Sequence, residues 1–277
     1  MSPSTRGASL LPRRKKMRPS RVLRKLRNDE PVLVGSPTPY PSAKICELLG
    51  KVGYDCVWID HEHQDLTDHD IWHMCLAARA TDMDAMVRIR KGPYWSYFHA
   101  FESGANGIMV PHCLDAEEAK WVVRNAKFAP LGLRGVDGIE AHADHSLQPM
   151  DEYMQQANQE TFIVVQIEDK EALEKIDEIA AVEGVDVLFI GPADLGQSLG
   201  IPRDIESPHM QEIIERVATT ARRHGKHWGI PASSARQVAM FLEKGARFIA
   251  WGAAIIALAE SFSQKKAEFD RIVASRT

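Results

Sequence analysis

Apolar, β-branched runs alternate with segments of helical spacing from residue 32 onward. The runs cover residues 32–35, 56–60, 85–89, 107–111, 162–168, 185–191, 227–231 and 248–252. Their nearly continuous apolar character suits strands buried on both faces. Between them, residues 42–52, 68–80, 115–127, 170–182, 208–223 and 234–243 place apolar side chains three and four apart, as one face of a helix requires. Asp115 opens its segment with Glu118 three residues on, which predicts a capping box in Asp form. Gly53, Gly104, Gly184, Gly225 and Gly245 each follow a helical stretch, where a left-handed cap needs no Cβ. Eight strands alternating with helices predict an α/β fold, a parallel (β/α)8 barrel of TIM type. The rival is a doubly wound open sheet. Against it, no G-x-G-x-x-G follows the first strand and no P-loop occurs. Residues 253–273 form more helix than a last barrel unit needs, so an extra C-terminal helix is expected to pack on a neighbouring subunit. Residues 131–149 are long for a connection, and loops of that length tend to be functional.

Composition narrows the class. The 277 residues are 44% hydrophobic and 26% charged, which excludes disorder. No apolar run approaches the roughly 20 residues that cross a bilayer. Cys46, Cys56, Cys75 and Cys113 form no C-x-x-C pair, so neither a zinc ribbon nor a disulfide framework is expected, and a reducing, cytoplasmic setting is. The formal charge of −4 is unevenly spread. Residues 1–27 hold ten Lys and Arg and no acid, a charge of +10; the rest holds 24 basic and 38 acidic residues, a charge of −14. This divides the chain into a basic N-terminal extension, 1–27, disordered or partly helical, and a barrel domain, 28–277. Such an arm could bind phosphates of nucleic acid or anionic lipid, or serve as a transit peptide. The plainer reading, a solvated tail or a start at Met17, is preferred, so neither nucleic acid nor membrane is an expected partner.

Candidate chemistry gathers at the C-terminal ends of the strands, where a barrel keeps its site. The second run ends in Asp60-His61-Glu62-His63, the third carries Arg88, and the fourth ends in Pro111-His112. The fifth ends in Gln166-Ile167-Glu168 and the sixth in Gly191-Pro192-Ala193-Asp194. The N-terminal ends of the same runs read as plain or apolar. Glu168 and Asp194 supply two hard carboxylates suited to Mg²⁺ or Mn²⁺ with positions left for substrate. Arg88 offers a planar cation for an oxyanion, and His63 a proton carrier near neutrality. Together these describe enolate chemistry on a 2-oxo acid. Each has a plainer alternative. The two carboxylates could cap helices, Arg88 could neutralise Asp60 in a buried pair, and His61 and His63 could be loop residues or soft ligands for zinc.

Four stretches carry a resemblance. G-Y-D-C-V-W-I-D-H-E-H from Gly53, F-A-P-L-G-L-R-G-V from Phe128, V-Q-I-E from Val165 and E-G-V-D-V-L-F-I-G-P-A-D-L from Glu183 resemble the HpcH/HpaI aldolase family, over about residues 36–262. The resemblance implies a class II, divalent-metal-dependent aldolase that cleaves or forms 4-hydroxy-2-oxo acids as pyruvate plus an aldehyde. It implies Glu168 and Asp194 as metal ligands (Mg²⁺ or Mn²⁺, with Co²⁺ admitted) and His63 as the base. It places Arg88 at the oxo or enolate oxygen, Gln166 near pyruvate, and Gly191, Pro192 and Ala193 at the pyruvate carboxylate. Glu102 stands where the family often has an aspartate paired with its base histidine. A barrel whose last helices are exchanged in a trimer of dimers is likewise implied. Departures cluster on the aldehyde side: His61 replaces a common glycine, His112 a common apolar residue, and Gly252-Ala253-Ala254 the usual Gly-x-Asp. The first strand and its loop, residues 34–41, do not match either. Two other readings stay open: another enolate-forming lyase or decarboxylating enzyme of acyl-CoA lyase type, and a non-catalytic metabolite-binding barrel.

Overall fold

The computed structural model describes residues 16–202 and 204–276. Eight parallel strands close into a barrel in sequence order, each hydrogen-bonded to the next and β1 to β8. They are β1 (Val32–Ser36), β2 (Cys56–Asp60), β3 (Asp84–Arg88), β4 (Gly107–Val110), β5 (Phe162–Ile167), β6 (Val187–Ile190), β7 (His227–Pro231) and β8 (Phe248–Ala253). The open sheet is therefore excluded. Helices cover the outside: α1 (Arg21–Arg27), α2 (Ala43–Val52), α3 (Asp68–Arg79), α4 (His99–Glu102), α5 (Ala116–Ala126), α6 (Met150–Glu160), α7 (Lys170–Glu174), α8 (Ile176–Ala180), α9 (Pro192–Leu199), α10 (Pro208–Arg223), α11 (Ala235–Glu243) and α12 (Ala254–Ala274). The single helix expected over 170–182 is two short ones, α7 and α8, meeting at Lys175.

Local signals act as expected, with one shift. Gly53 closes α2 at φ 109° and Gly245 follows α11 at φ 86°, conformations that cost a side chain dearly. Asp115 accepts from the Glu118 N–H at 3.0 Å, but Glu118 reaches back to the Leu114 N–H at 2.9 Å, one residue short of a reciprocal box. The complete box is at α3, between Thr67 and Asp70.

Two cores result. Outward strand residues such as Val57, Val87, Ile108 and Val165 pack under the helices. Inward residues, among them Val34, Met86, Phe162, Val187, Phe189 and Phe248, fill the barrel. Val22, Leu23 and Leu26 of α1 join this inner cluster and close the barrel's lower end. Within the segment expected as a basic extension, residues 1–15, with Arg6, Arg13, Arg14 and Lys15, lie outside the described residues; residues 17–27 pack on the barrel. Arg18 Nη2 donates to Asp84 Oδ1 at 2.6 Å, and Arg21 and Lys25 pair with Asp55 at 2.9 and 2.6 Å. The lower strand ends are thus not plain. Asp55 and Asp84 are buried acids whose partners are basic residues of this segment.

Candidate active site

Register explains the first contact in the barrel mouth. Asp60 and Arg88 are partners across β2 and β3 and both are buried. Arg88 Nε donates to Asp60 Oδ1 at 3.0 Å and Nη2 to Oδ2 at 2.7 Å. Its Nη1 stands 3.2 Å from Glu62 Oε2, and its guanidinium lies 4.9 Å over the Trp58 ring. The buried pair weighed as an alternative for Arg88 is therefore present. It does not exhaust the residue: a guanidinium has five N–H donors, and these acidic contacts leave donors for a ligand.

Glu168 follows β5 and is 1% exposed. Oε1 accepts from the His112 N–H at 2.8 Å, and Oε2 from Gln166 Nε2 at 2.8 Å. Among the described residues no Lys or Arg pairs with it, and His112 Nδ1 stands 3.8 Å from Oε1. Burial pushes its pKa up to about 7; His112 and Arg88 oppose the rise and the nearby Asp194 carboxylate adds to it. Glu168 does not cap α7, so that alternative fails. Gly191, the residue after β6, lies against it: a Cβ there would stand 2.1 Å from Glu168 Oε2. Asp194 lies in the first turn of α9, whose N-cap is Gly191 and whose N1 is Pro192. The Gly191 N–H is spent on Ile167 O at 3.3 Å, and Pro192 has none. The Ala193 amide is the first in this turn left without an intrahelical partner.

His63 is exposed, with Nε2 3.8 Å from Glu62 Oε2 and its N–H on Asp60 Oδ1 at 3.3 Å. Glu102 does not join it within the chain. The β3–β4 connection runs from the mouth down through α4, and Glu102 ends α4 shortly before β4 begins at the lower end. There its carboxyl pKa is raised by burial, against the charges of Arg134 and His99. Among the described residues no hydrogen bond or ion pair joins Glu102 to His63 within the chain.

Residues without an assigned role complete the mouth. His112, at φ 49°, spans β5 to β2, with Nδ1 2.9 Å from Asp169 Oδ2 and Nε2 3.9 Å from Glu62 Oε1. Burial would lower its pKa, but the Asp169 hydrogen bond and the charges of Glu168, Asp169 and Glu62 leave it raised. His61 faces outward, half-buried, into a 260 Å³ cavity between β3 and the helices with Arg90, Trp95 and His99; burial lowers its pKa.

The donor set fits a divalent cation. Among the described residues Glu168 is a buried carboxylate that no Lys or Arg pairs with, although His112 Nδ1 stands 3.8 Å away; Asp194 is close enough to repel it, and Gln166 Oε1 is buried without a partner. Hard oxygens that repel one another are what Mg²⁺ or Mn²⁺ would neutralise. Among the described residues no group of three or more His, Cys, Asp or Glu is placed to hold a metal.

Residues 38–260 match the family described as HpcH/HpaI aldolase/citrate lyase. The chain is 35% identical over 228 residues to a 2-keto-3-deoxy-L-rhamnonate aldolase of Salmonella gallinarum, covering 82% of this chain and 85% of that one. It resembles the crystal structure of an HpcH/HpaI aldolase from Desulfitobacterium hafniense at TM-score 0.82 and 31% identity, over 90% of this chain and 95% of that. A citrate synthase structure aligns at TM-score 0.81 and 28% identity, over 90% and 97%.

Proposed function

The chain belongs to the HpcH/HpaI aldolase/citrate lyase family, and from that premise we propose that Glu168, Asp194, Arg88 and His63 cleave a 3-deoxy-2-oxo sugar acid to pyruvate and a hydroxyaldehyde. It is a class II carbon–carbon lyase of that family, acting on 2-oxo acids. The sugar-acid substrate extends to this chain what the Salmonella relative's name says of that protein.

The observation that carries the reading is Glu168: a fully buried carboxylate at the barrel mouth that, among the described residues, no Lys or Arg pairs with. Glu168 and Asp194 hold the divalent cation, Mg²⁺ or Mn²⁺ first and Co²⁺ also. When bound, that ion supplies the positive charge that polarises a 2-oxo group. Gln166 fixes the Glu168 carboxylate and borders the pyruvate end. The substrate carboxylate lies along Gly191, Pro192 and Ala193, where the Ala193 N–H is the available donor. Arg88, oriented by Asp60, points its remaining N–H groups at the 2-oxo oxygen. His63 takes the proton of the 4-hydroxyl. The C3–C4 bond then breaks, its electron pair passes into the enolate, and the aldehyde departs. Arg88 stabilises the enolate oxygen, and protonation at C3 gives pyruvate.

The active unit is an oligomer, a trimer of dimers in which α12 is exchanged. Supporting this, α12 has no buried residue over 21 positions, and Ile256, Phe262 and Phe269 are more than half exposed. Glu102 reaches a neighbour's His63 in that assembly. Four buried free thiols suit a reducing compartment, the cytoplasm. Among the described residues no helix is long and apolar enough to cross a membrane. Arg18, Arg21 and Lys25 are spent on Asp84 and Asp55, which speaks against nucleic acid as a partner.

Incubation with pyruvate and Mg²⁺ or Mn²⁺ in D₂O, followed by NMR, tests the reading without guessing the aldehyde. Loss of the methyl proton signal that EDTA abolishes is expected. No exchange with any divalent metal overturns it.

A further inference from the structure

We propose that His112, held by Asp169, recognises hydroxyl groups on the aldehyde half of the substrate; this deepens the aldolase reading and rests on it. The imidazole bridges two strand ends. Nδ1 lies 2.9 Å from Asp169 Oδ2, and Nε2 lies 3.9 Å from Glu62 Oε1. The backbone at φ 49° is one that a histidine seldom adopts, and it is held by the N–H donated to Glu168. The ring's orientation is therefore built in.

Asp169 accepts from Nδ1–H, which leaves Nε2 free for a ligand. The 3.9 Å gap to Glu62 is too long for a direct hydrogen bond. It suits two polar atoms that each meet one of two neighbouring hydroxyls. Glu62 is in turn fixed by Arg88 Nη1 at 3.2 Å, so a continuous set of contacts runs from the enolate end, Arg88, through Glu62 to His112. The His112 side chain is 42% exposed and so open to a ligand entering the mouth. A polyhydroxylated aldehyde satisfies both groups. An unsubstituted aldehyde of the same length would strip water from them and return nothing.

Aldol addition of pyruvate to glyceraldehyde and to propanal, with Mg²⁺, tests this on wild type, H112L, H112N and D169A. The ratio of kcat/KM for glyceraldehyde to that for propanal is expected to fall about tenfold or more in both His112 variants, mainly through the KM for glyceraldehyde. D169A, which frees the ring without removing it, is expected to lower the ratio by less. Asparagine tolerates the left-handed backbone, so H112N remains informative if H112L does not fold. Variants that slow both aldehydes by the same factor overturn the inference. Wild-type exchange of pyruvate hydrogens in D₂O separates the two failures. With exchange present and the ratio unmoved, this inference alone falls. With exchange absent, the aldolase reading falls and takes it along.

Discussion

Arg88 and Asp60 sit side by side on neighbouring parallel strands and join through two hydrogen bonds, 3.0 and 2.7 Å, at the floor of the barrel mouth. The fork-to-carboxylate geometry sets the plane of the guanidinium, and the Trp58 ring beneath supports it. An arginine aimed in this way meets an oxyanion without first having to reorient.

Removing the carboxylate should free Arg88 from that plane. D60A is expected to lower kcat/KM about 100-fold, since a displacement near 1 Å at a reacting centre costs that much. It should also cost about 3 kcal/mol of stability, because a buried guanidinium loses its main partner. Steady-state kinetics and urea unfolding read the two effects. R88K should not rescue activity, because an ammonium cannot form the fork; wild-type rates in R88K would count against the orienting role.

Metal removal should reveal Glu168 as a pH-dependent weakness. Its pKa is about 7 in the folded chain without metal, against 4.5 as the ordinary value. A raised carboxyl keeps its proton better folded than unfolded. Its stabilising contribution is complete below about pH 4.5 and is lost as pH rises through 7. In EDTA the protein should therefore melt lower at pH 8 than at pH 6. E168Q, which cannot ionise, should flatten that difference. Mg²⁺ or Mn²⁺ should restore wild type at pH 8 with release of protons, and should do little for E168Q. Calorimetry at the two pH values measures all three.

The lower end of the barrel gives a contrasting prediction. Asp84 is fully buried and accepts from Arg18 Nη2 at 2.6 Å, Ser20 Oγ at 2.6 Å and the Val22 N–H at 2.9 Å. D84A should cost roughly 2–4 kcal/mol, because it leaves the buried Ser20 hydroxyl and Val22 amide without their acceptor, while the part-exposed Arg18 keeps Met83 O and Asn106 Oδ1. It should leave kcat/KM within about a factor of two below the melting range, since additive behaviour holds for sites this far apart. A melting curve with activity measured well below it separates the two effects.

That lower end also shows where the sequence is legible and where it is not. All eight strands and the mouth residues Arg88, Gln166, Glu168 and Asp194 can be found from period and position, because a strand buried on both faces leaves an apolar run that stops where the chemistry starts. Helix α1 cannot be found so easily. Val22, Leu23 and Leu26 are spaced like a helix face, but five basic residues among positions 18–27 make the segment look like a solvated arm. Their partners, Asp55 and Asp84, lie at least 30 positions away. The role of His112 is hidden for a related reason. Its neighbours come from β2 and β5, and only closing the barrel brings Glu62 and Asp169 to the same ring.

Glu102 is the residue whose sequence position and spatial position diverge most, and that divergence makes a prediction about assembly. Within one chain it ends α4 near the lower end of the barrel, beside Arg134, while His63 stands at the mouth. If the two act together, they do so across a subunit boundary. E102A and H63A homo-oligomers should each be impaired, because every site then lacks one partner. Co-expressed, the two variants form some sites from the intact His63 of an E102A chain and the intact Glu102 of an H63A chain. Random mixing of two chain types makes such sites about a quarter of the total, so about a quarter of wild-type cleavage should return. Light scattering on the same sample checks that the mixed oligomers form. Mixed oligomers of full size that recover no activity would mean that Glu102 serves its own subunit's structure, and that His63 relies on Glu62 and Asp60, the carboxylates that already flank it.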